Sequence, residues 1–156
     1  MLLKAYTAFH VVISVLGILA GFVVMVGMVT ADPMDRWTAF FLVTTVATSV
    51  TGFFFPVSRV TPAHVVGVIS LAILALAVYA RYPAHLAGSW RWIFVATAVA
   101  AQYFNVFVLV VQMFQKIPSL KALAPTQKER PFQLTQAAVL FAFVAWGVLA
   151  ALRFHV

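Results

Sequence analysis

Two histidines are the ionisable side chains best placed for chemistry inside the apolar runs of this chain. The three acidic residues, Asp32, Asp35 and Glu129, all fall in polar links between those runs. His10 and His64 instead lie near the starts of the first and third runs. Imidazole is a common ligand of haem iron and of metal ions. If the two rings lie at similar depth on separate helices, they predict a bis-histidine haem or metal site.

A structural role for the same two histidines is the simpler hypothesis. His10 shares a helical face with Gly17 and Gly21, a small-residue pair that lets another helix approach closely. His64 shares a face with Gly67. Both rings are therefore expected to point into a bundle, where each can hydrogen-bond a neighbouring helix. We favour this role because two histidines without a longer motif do not define a metal site.

Amide side chains form a stripe in the fourth apolar run. Gln102, Asn105 and Gln112 share one helical face with Ala98 and Ala101. Such a stripe could line a path for a small neutral solute or hold the head group of a ligand. The alternative is hydrogen bonding between helices, which is worth about 0.6 kcal/mol per bond in membrane proteins. We favour hydrogen bonding, with Asn105 as the residue most suited to a ligand because it lies deepest.

Several functional classes are excluded by residues that are missing. No Asp, Glu, Lys or Arg falls inside an apolar run, which disfavours proton-coupled carriers and Schiff-base pigments. The absence of cysteine excludes disulfides, thiolate nucleophiles and iron–sulfur clusters. No Ser/His/Asp set can be brought together within a bilayer, so we predict no catalytic residue and no enzyme. The basic residues occur singly or in pairs beside apolar runs, a pattern that does not favour nucleic-acid binding.

Composition and run length predict the elements that carry these side chains. Of the 156 residues, 65% are hydrophobic and 8% are charged, whereas soluble domains have about 25% charged residues. A membrane-spanning helix needs about 20 apolar residues. The first run is too long for the core of a secretory signal, which predicts a retained helix. We predict one transmembrane domain over residues 1–156, an all-α antiparallel bundle of five spans at 5–30, 37–55, 61–80, 92–115 and 132–152.

Basic residues also predict the orientation of the bundle. The link between the fourth and fifth runs carries four of them, Lys116, Lys121, Lys128 and Arg130. Positively charged loops stay cytoplasmic, which puts the N-terminus inside and the C-terminus outside. Glutamines gather at the same inner end, so a binding pocket is expected there. The basic link could also engage anionic lipid, although orientation alone explains its charge.

Two segments carry a resemblance to a known group of proteins. Residues 48–53 (TSVTGF), closed by Pro56, and the segments 115–118 (QKIP) and 122–126 (ALAPT) resemble parts of small hypothetical polytopic membrane proteins of proteobacteria. The resemblance implies the bacterial inner membrane and carries no activity. We therefore expect a non-catalytic binding or accessory protein whose ligand is a membrane partner, a lipid or a small molecule. The alternatives are the histidine-ligated redox protein and the solute conduit, which would require a homo-oligomer.

Overall fold

The structure, a computed structural model, describes residues 1–155, and the chain in this range is helical with no β-strand. The predicted all-helical class is confirmed. The helices are α1 (Leu2–Thr30), α2 (Asp35–Gly52), α3 (Pro62–Arg81), α4 (Trp90–Lys116), α5 (Pro118–Leu123) and α6 (Arg130–Arg153). The short α5 was not predicted, because six residues between two prolines have no detectable periodicity.

Four of the helices, rather than the predicted five, are long and apolar enough to cross a membrane. They are α1, α3, α4 and α6. Their length and composition indicate a membrane protein. The predicted span at 37–55 corresponds to α2, which is shorter and ends at Gly52. Asp35 and Arg36 in its first turn and its many threonines lower its mean hydropathy, so composition does not support a fifth span.

Local sequence explains where the helices begin and end. Thr61 is the N-cap of α3 and Pro62 is its first residue, where the missing amide N–H of proline has no cost. Pro118 and Pro131 occupy the same early positions in α5 and α6. At the end of α1, Ala31 adopts a left-handed conformation with φ 58° and donates its N–H to the carbonyl of Gly27. These signals fix short connections, which place successive helices side by side.

The core of the bundle is centred on α4, which packs against α1, α3 and α6, while α2 packs between α1 and α3. Small residues fill the helix contacts, and Ala20, Ala77, Ala80, Ala101 and Ala150 are completely buried. Small side chains allow the close helix approach that replaces the hydrophobic effect as a driving force in lipid. A second, smaller cluster of Val110, Phe114 and Ala124 lies where α4 meets α5 and α6.

Candidate functional site

The amide of Gln102 lies at the centre of the bundle and joins α4 to α1. Its side chain is completely buried, with 0% exposure. Its Nε2 donates a hydrogen bond to the carbonyl oxygen of Ile18 over 2.7 Å. The absence of a side chain at Gly21 makes room for this amide, since a Cβ there would lie 2.1 Å from Oε1 of Gln102. The small-residue pair on α1 therefore accommodates a polar side chain from α4.

Asn105 extends the network from α4 to α2. Its Nδ2 donates to Oγ1 of Thr45 and to Oε1 of Gln102, each over 3.3 Å. Because an amide nitrogen carries two hydrogens, it can make both bonds at once. Gln102, Asn105 and Thr45 thus form one polar cluster, which we call the amide network and which joins α1, α2 and α4. This arrangement matches the predicted hydrogen bonding between helices.

Gln112, the third member of the predicted stripe, lies outside the amide network. Its side chain is exposed. Toward its C-terminal end α4 turns a different face inward, because Val110 and Phe114 pack against Ala124 and the start of α6. On an ideal helix Gln112 lies on the same face as Asn105. However, the C-terminal part of α4 packs against α5 and α6, so a different face of the helix is buried there. The structure therefore brings together two of the three predicted amides.

Polar side chains of α6 also bind backbone groups of neighbouring helices. Gln136 donates through Nε2 to the carbonyl of Phe107 over 3.2 Å. Trp146 donates through Nε1 to the carbonyl of Met25 over 3.0 Å. Neither bond was predicted, because sequence shows a polar residue without showing which helix it meets. Together they attach α6 to both α4 and α1.

His10 is held against the end of α2. Its Nδ1 lies 2.8 Å from Oγ1 of Thr51, and its ring packs edge-on against Phe55 with 5.0 Å between centroids. The hydroxyl of Thr51 donates to the carbonyl of Ala47 over 2.7 Å. Since a hydroxyl has one hydrogen, Nδ1 of His10 is the donor toward Thr51. In the neutral ring, Nε2 of His10 therefore carries the lone pair.

His64 has the opposite hydrogen-bonding role. Its Nδ1 accepts the backbone N–H of Thr61 over 3.0 Å and lies 2.8 Å from the hydroxyl oxygen of that residue. This is a capping box in which the third residue of α3 satisfies the N-cap amide. An accepting Nδ1 places the proton of the neutral ring on Nε2. His64 in this state has no free lone pair for a metal or haem iron.

Each of the two histidine rings packs against a phenylalanine of the segment that follows α2. His10 contacts Phe55, and His64 contacts Phe53 with 5.6 Å between centroids. Within residues 1–155, no group of three His, Cys, Asp or Glu side chains is close enough together to hold a metal ion. Each ring thus has a local structural partner, and only His10 retains an available nitrogen lone pair.

At the opposite ends of the helices, Arg81 forms an ion pair with Asp35. The guanidinium of Arg81 also donates to the carbonyl of Pro33 over 3.1 Å and lies over the Phe94 ring, 5.3 Å from its centroid. Arg81 has 6% side-chain exposure, whereas Asp35 has 81%. Spacing along the sequence does not predict that these two residues pair. The pair connects the end of α3 to the start of α2.

Two cavities lie at the ends of the bundle. One of about 230 Å³ is lined by Pro33, Asp35, Arg81, His85 and Leu86. The other, of about 280 Å³, is lined by Phe114, Gln115, Lys121, Pro125, Thr126 and Gln127. Neither is lined by a residue of the amide network. The sequence predicted a pocket near the inner end of the bundle from a group of glutamines at 112, 115, 133 and 136, of which only Gln115 lines the second cavity.

Comparison with known proteins finds no matching protein-family model, no matching curated protein and no matching solved structure. The geometry of the chain itself is therefore the basis for an assignment of function.

Proposed function

We propose that this chain is a non-catalytic membrane protein that binds a lipid, a small ligand or a partner protein. One observation carries the proposal: the predicted site residues that lie within the bundle hydrogen-bond to its own helices, while Oγ1 of Thr48 and Oε1 of Gln136 are buried without a partner. Gln102 and Asn105 join three helices, and both histidines have local partners. A catalytic or transport site needs polar groups that are free to meet a substrate. The groups open to a ligand lie at the ends of the bundle.

The proposal includes five membrane crossings, with α2 as the fifth. Its 18 residues span about 27 Å at 1.5 Å per residue, against a hydrocarbon core of about 30 Å. Two of its hydroxyls bond within the helix, as Thr44 donates to the carbonyl of Phe40 and Thr51 to that of Ala47, each over 2.7 Å, whereas Oγ1 of Thr48 is buried without a partner. Such bonding reduces the cost of threonine in lipid. Its position between α1 and α3 also supports a crossing.

The location and orientation belong to the same proposal. An odd number of crossings puts the two termini on opposite sides of the bilayer. The four basic residues at 116, 121, 128 and 130 favour a cytoplasmic position for their connection, with the N-terminus inside and the C-terminus outside. The resemblance to small proteobacterial membrane proteins supports the bacterial inner membrane.

The redox hypothesis is the second candidate, and one observation favours it. His10 presents Nε2 as an available acceptor beside Phe55. His64 would have to give up its capping box before it could serve as the second ligand. The hypothesis of a solute conduit has less support. The amides of Gln102 and Asn105 already donate hydrogen bonds to Ile18 and Thr45, so they are not free to bind a solute.

Analysis of the purified full chain tests the proposed role. After expression with haem supplied and exhaustive exchange into mild detergent, we expect no Soret band, no stoichiometric metal, and a lipid or protein retained at a fixed molar ratio. A Soret band that is lost in His10→Ala and kept in His85→Ala would instead establish the redox hypothesis. His85 is the matched control because it is an exposed histidine in the connection between α3 and α4. A protein that retains no ligand or partner would contradict the proposal.

A further inference from the structure

The connection between α4 and α6 concentrates positive charge. We define the α4–α6 connection as residues 116–130, which includes α5. It carries four cations, Lys116, Lys121, Lys128 and Arg130, and all four side chains are exposed. Glu129 is its one acidic residue. The segment thus has a formal charge of +3, from four positive charges and one negative charge.

The one acid does not neutralise these cations by direct pairing. Oε1 of Glu129 accepts the backbone N–H of Thr126 over 3.1 Å and its hydroxyl over 2.8 Å. Oε2 accepts the backbone N–H of Lys128 over 3.0 Å. Across residues 1–155 the one ion pair is that between Arg81 and Asp35, at the other end of the bundle. The cations of the connection are therefore available to an external anion.

A cavity of about 280 Å³ lies within this charged segment. Its polar lining comes from Gln115, Lys121, Thr126 and Gln127, and its apolar lining from Phe114 and Pro125. Gln127 adopts φ 59° and donates through Nε2 to the carbonyl of Val111 over 3.1 Å, which ties the loop to α4. Lys121 extends from α5 into the lining of the same cavity. The segment thus offers an ammonium group beside an open surface depression with a largely polar lining.

Exposed apolar side chains lie close in sequence to the residues that line the cavity. Leu123 at the end of α5 has 56% exposure, and Leu134 in the first turns of α6 has 68%. Met113 in the last turns of α4 is also exposed. Where α4 and α6 cross a bilayer, their ends at this connection would lie near the level of the lipid head groups, and exposed apolar side chains there would meet the acyl chains. A ligand with an anionic head and apolar tails would satisfy both kinds of surface.

We infer that the α4–α6 connection binds the head group of an acidic phospholipid, with its phosphate at Lys121. The inference rests on the proposed binding role and names the ligand. Basic pockets between membrane helices recognise acidic head groups, and each Lys or Arg near such a surface contributes about 1 kcal/mol. A zwitterionic phospholipid would bring an ammonium group close to cations that have no free acid nearby. Charge complementarity therefore selects a lipid of net negative charge.

Native mass spectrometry of the full chain in mild detergent tests the inference. The protein is titrated with phosphatidylglycerol, with phosphatidylcholine of the same acyl chains, and with inorganic phosphate. We expect tighter binding of phosphatidylglycerol, and an affinity about fivefold lower in Lys121→Gln, equivalent to about 1 kcal/mol. Lys121→Arg should retain the affinity. Arg153→Gln is the matched control, because it removes one exposed charge at the end of α6 remote from the connection.

Three outcomes would overturn the inference: equal affinity for the two lipids, equal losses in Lys121→Gln and Arg153→Gln, or competition by inorganic phosphate at the same concentration as the lipid. Helical circular dichroism spectra of the variants show that the bundle is intact. If the lipids bind equally but another ligand or partner is still retained at a fixed ratio, the binding role survives and the acidic-lipid assignment fails.

Discussion

The side-chain amide of Gln102 on α4 lies directly against Gly21 on α1 at the centre of the bundle. The amide of Gln102 occupies the volume that a side chain at position 21 would fill, with Oε1 2.1 Å and Cδ 2.3 Å from the site of a Cβ. The same amide donates to Ile18, one turn earlier on α1. The close approach of α1 and α4 and their polar contact therefore depend on the same glycine.

Gly21→Ala should destabilise the bundle by about 1–3 kcal/mol, as overpacking does in other cores. The buried amide would have to move and lose its bond to Ile18. Gly147→Ala is the matched control, because its Cβ would be in ordinary contact, 3.4 Å from Cγ1 of Val99. The free energy of unfolding is measured by denaturant titration in mixed micelles.

Gln102→Ala should relieve the clash at position 21, so the two substitutions are expected to be coupled. The cost of Gly21→Ala should fall by at least about 0.5 kcal/mol in the Gln102→Ala background. Additive effects of the two substitutions would show that the residues do not share space.

The ion pair of Arg81 and Asp35 should respond unequally to removal of its two partners. Asp35→Asn leaves a buried guanidinium without its carboxylate, whereas Arg81→Met leaves an exposed carboxylate in water. We expect Asp35→Asn to cost about 1–3 kcal/mol, less than a fully buried pair because solvent screens Asp35. Arg81→Met should cost less than Asp35→Asn, since methionine can keep the packing on Phe94. Thermal unfolding in detergent measures both, and a larger loss in Arg81→Met would contradict the expectation.

The two histidines should be opposite tautomers when neutral. His10 donates from Nδ1 to Thr51, and His64 accepts at Nδ1 from Thr61. Two-dimensional ¹⁵N–¹H spectra of the imidazole rings should therefore place the proton of His10 on Nδ1 and that of His64 on Nε2. Thr51→Val should perturb the His10 pattern and leave that of His64 unchanged. The same tautomer at both positions would refute the assigned hydrogen bonds.

Glu129 should titrate below the ordinary range of a glutamate. Desolvation acts to raise its pKa, but hydrogen bonds from the hydroxyl of Thr126 and from backbone amides, including those of Thr126 and Lys128, outweigh it and hold the pKa lower. A lowered pKa means that the carboxylate stabilises the fold above its unfolded-state pKa, and that this contribution is lost as the pH falls through the folded-state value. NMR titration of the carboxyl carbon should show the lowered pKa, and Thr126→Val should raise it. A pKa at or above that of an unfolded peptide would contradict the assignment.

Five crossings should place the two termini on opposite sides of the bacterial inner membrane. Fusions of a periplasm-active and a cytoplasm-active reporter to each end distinguish the possibilities. We expect cytoplasmic activity at the N-terminus and periplasmic activity at the C-terminus. Termini on the same side would show that the number of crossings is even, as for the four helices selected by length and composition.

The sequence predicted the long helices well because each of them is an apolar run bounded by polar or proline-containing segments. Pro62, Pro118 and Pro131 all lie at helix starts in the structure. The prediction of membrane spans was weakest for α2. Its threonines lower its mean hydropathy, although the helix packs in the bundle. Hydropathy averages over a window and does not register that a hydroxyl can bond to its own helix.

The candidate site was predicted only in part, because contacts between helices are not encoded in the spacing along one helix. Gln102 and Asn105 were predicted to share one helical face, but their partners Ile18 and Thr45 could not be identified from the sequence. Gln112 failed to join them because the inward face of α4 changes along its length. The Arg81–Asp35 pair was missed because pairing across helices depends on the rotation of each helix about its axis.

The amide network has a consequence for the order in which the bundle assembles during synthesis. Its donors are on α4, whereas its acceptors Ile18 on α1 and Thr45 on α2 are made first. The first three helices already share polar contacts before α4 is made, from His10 to Thr51 and from Arg81 to Asp35. The arrival of α4 adds the hydrogen bonds at the centre of the bundle. The nascent chain thus completes the amide network of its core only when α4 has left the ribosome and packed.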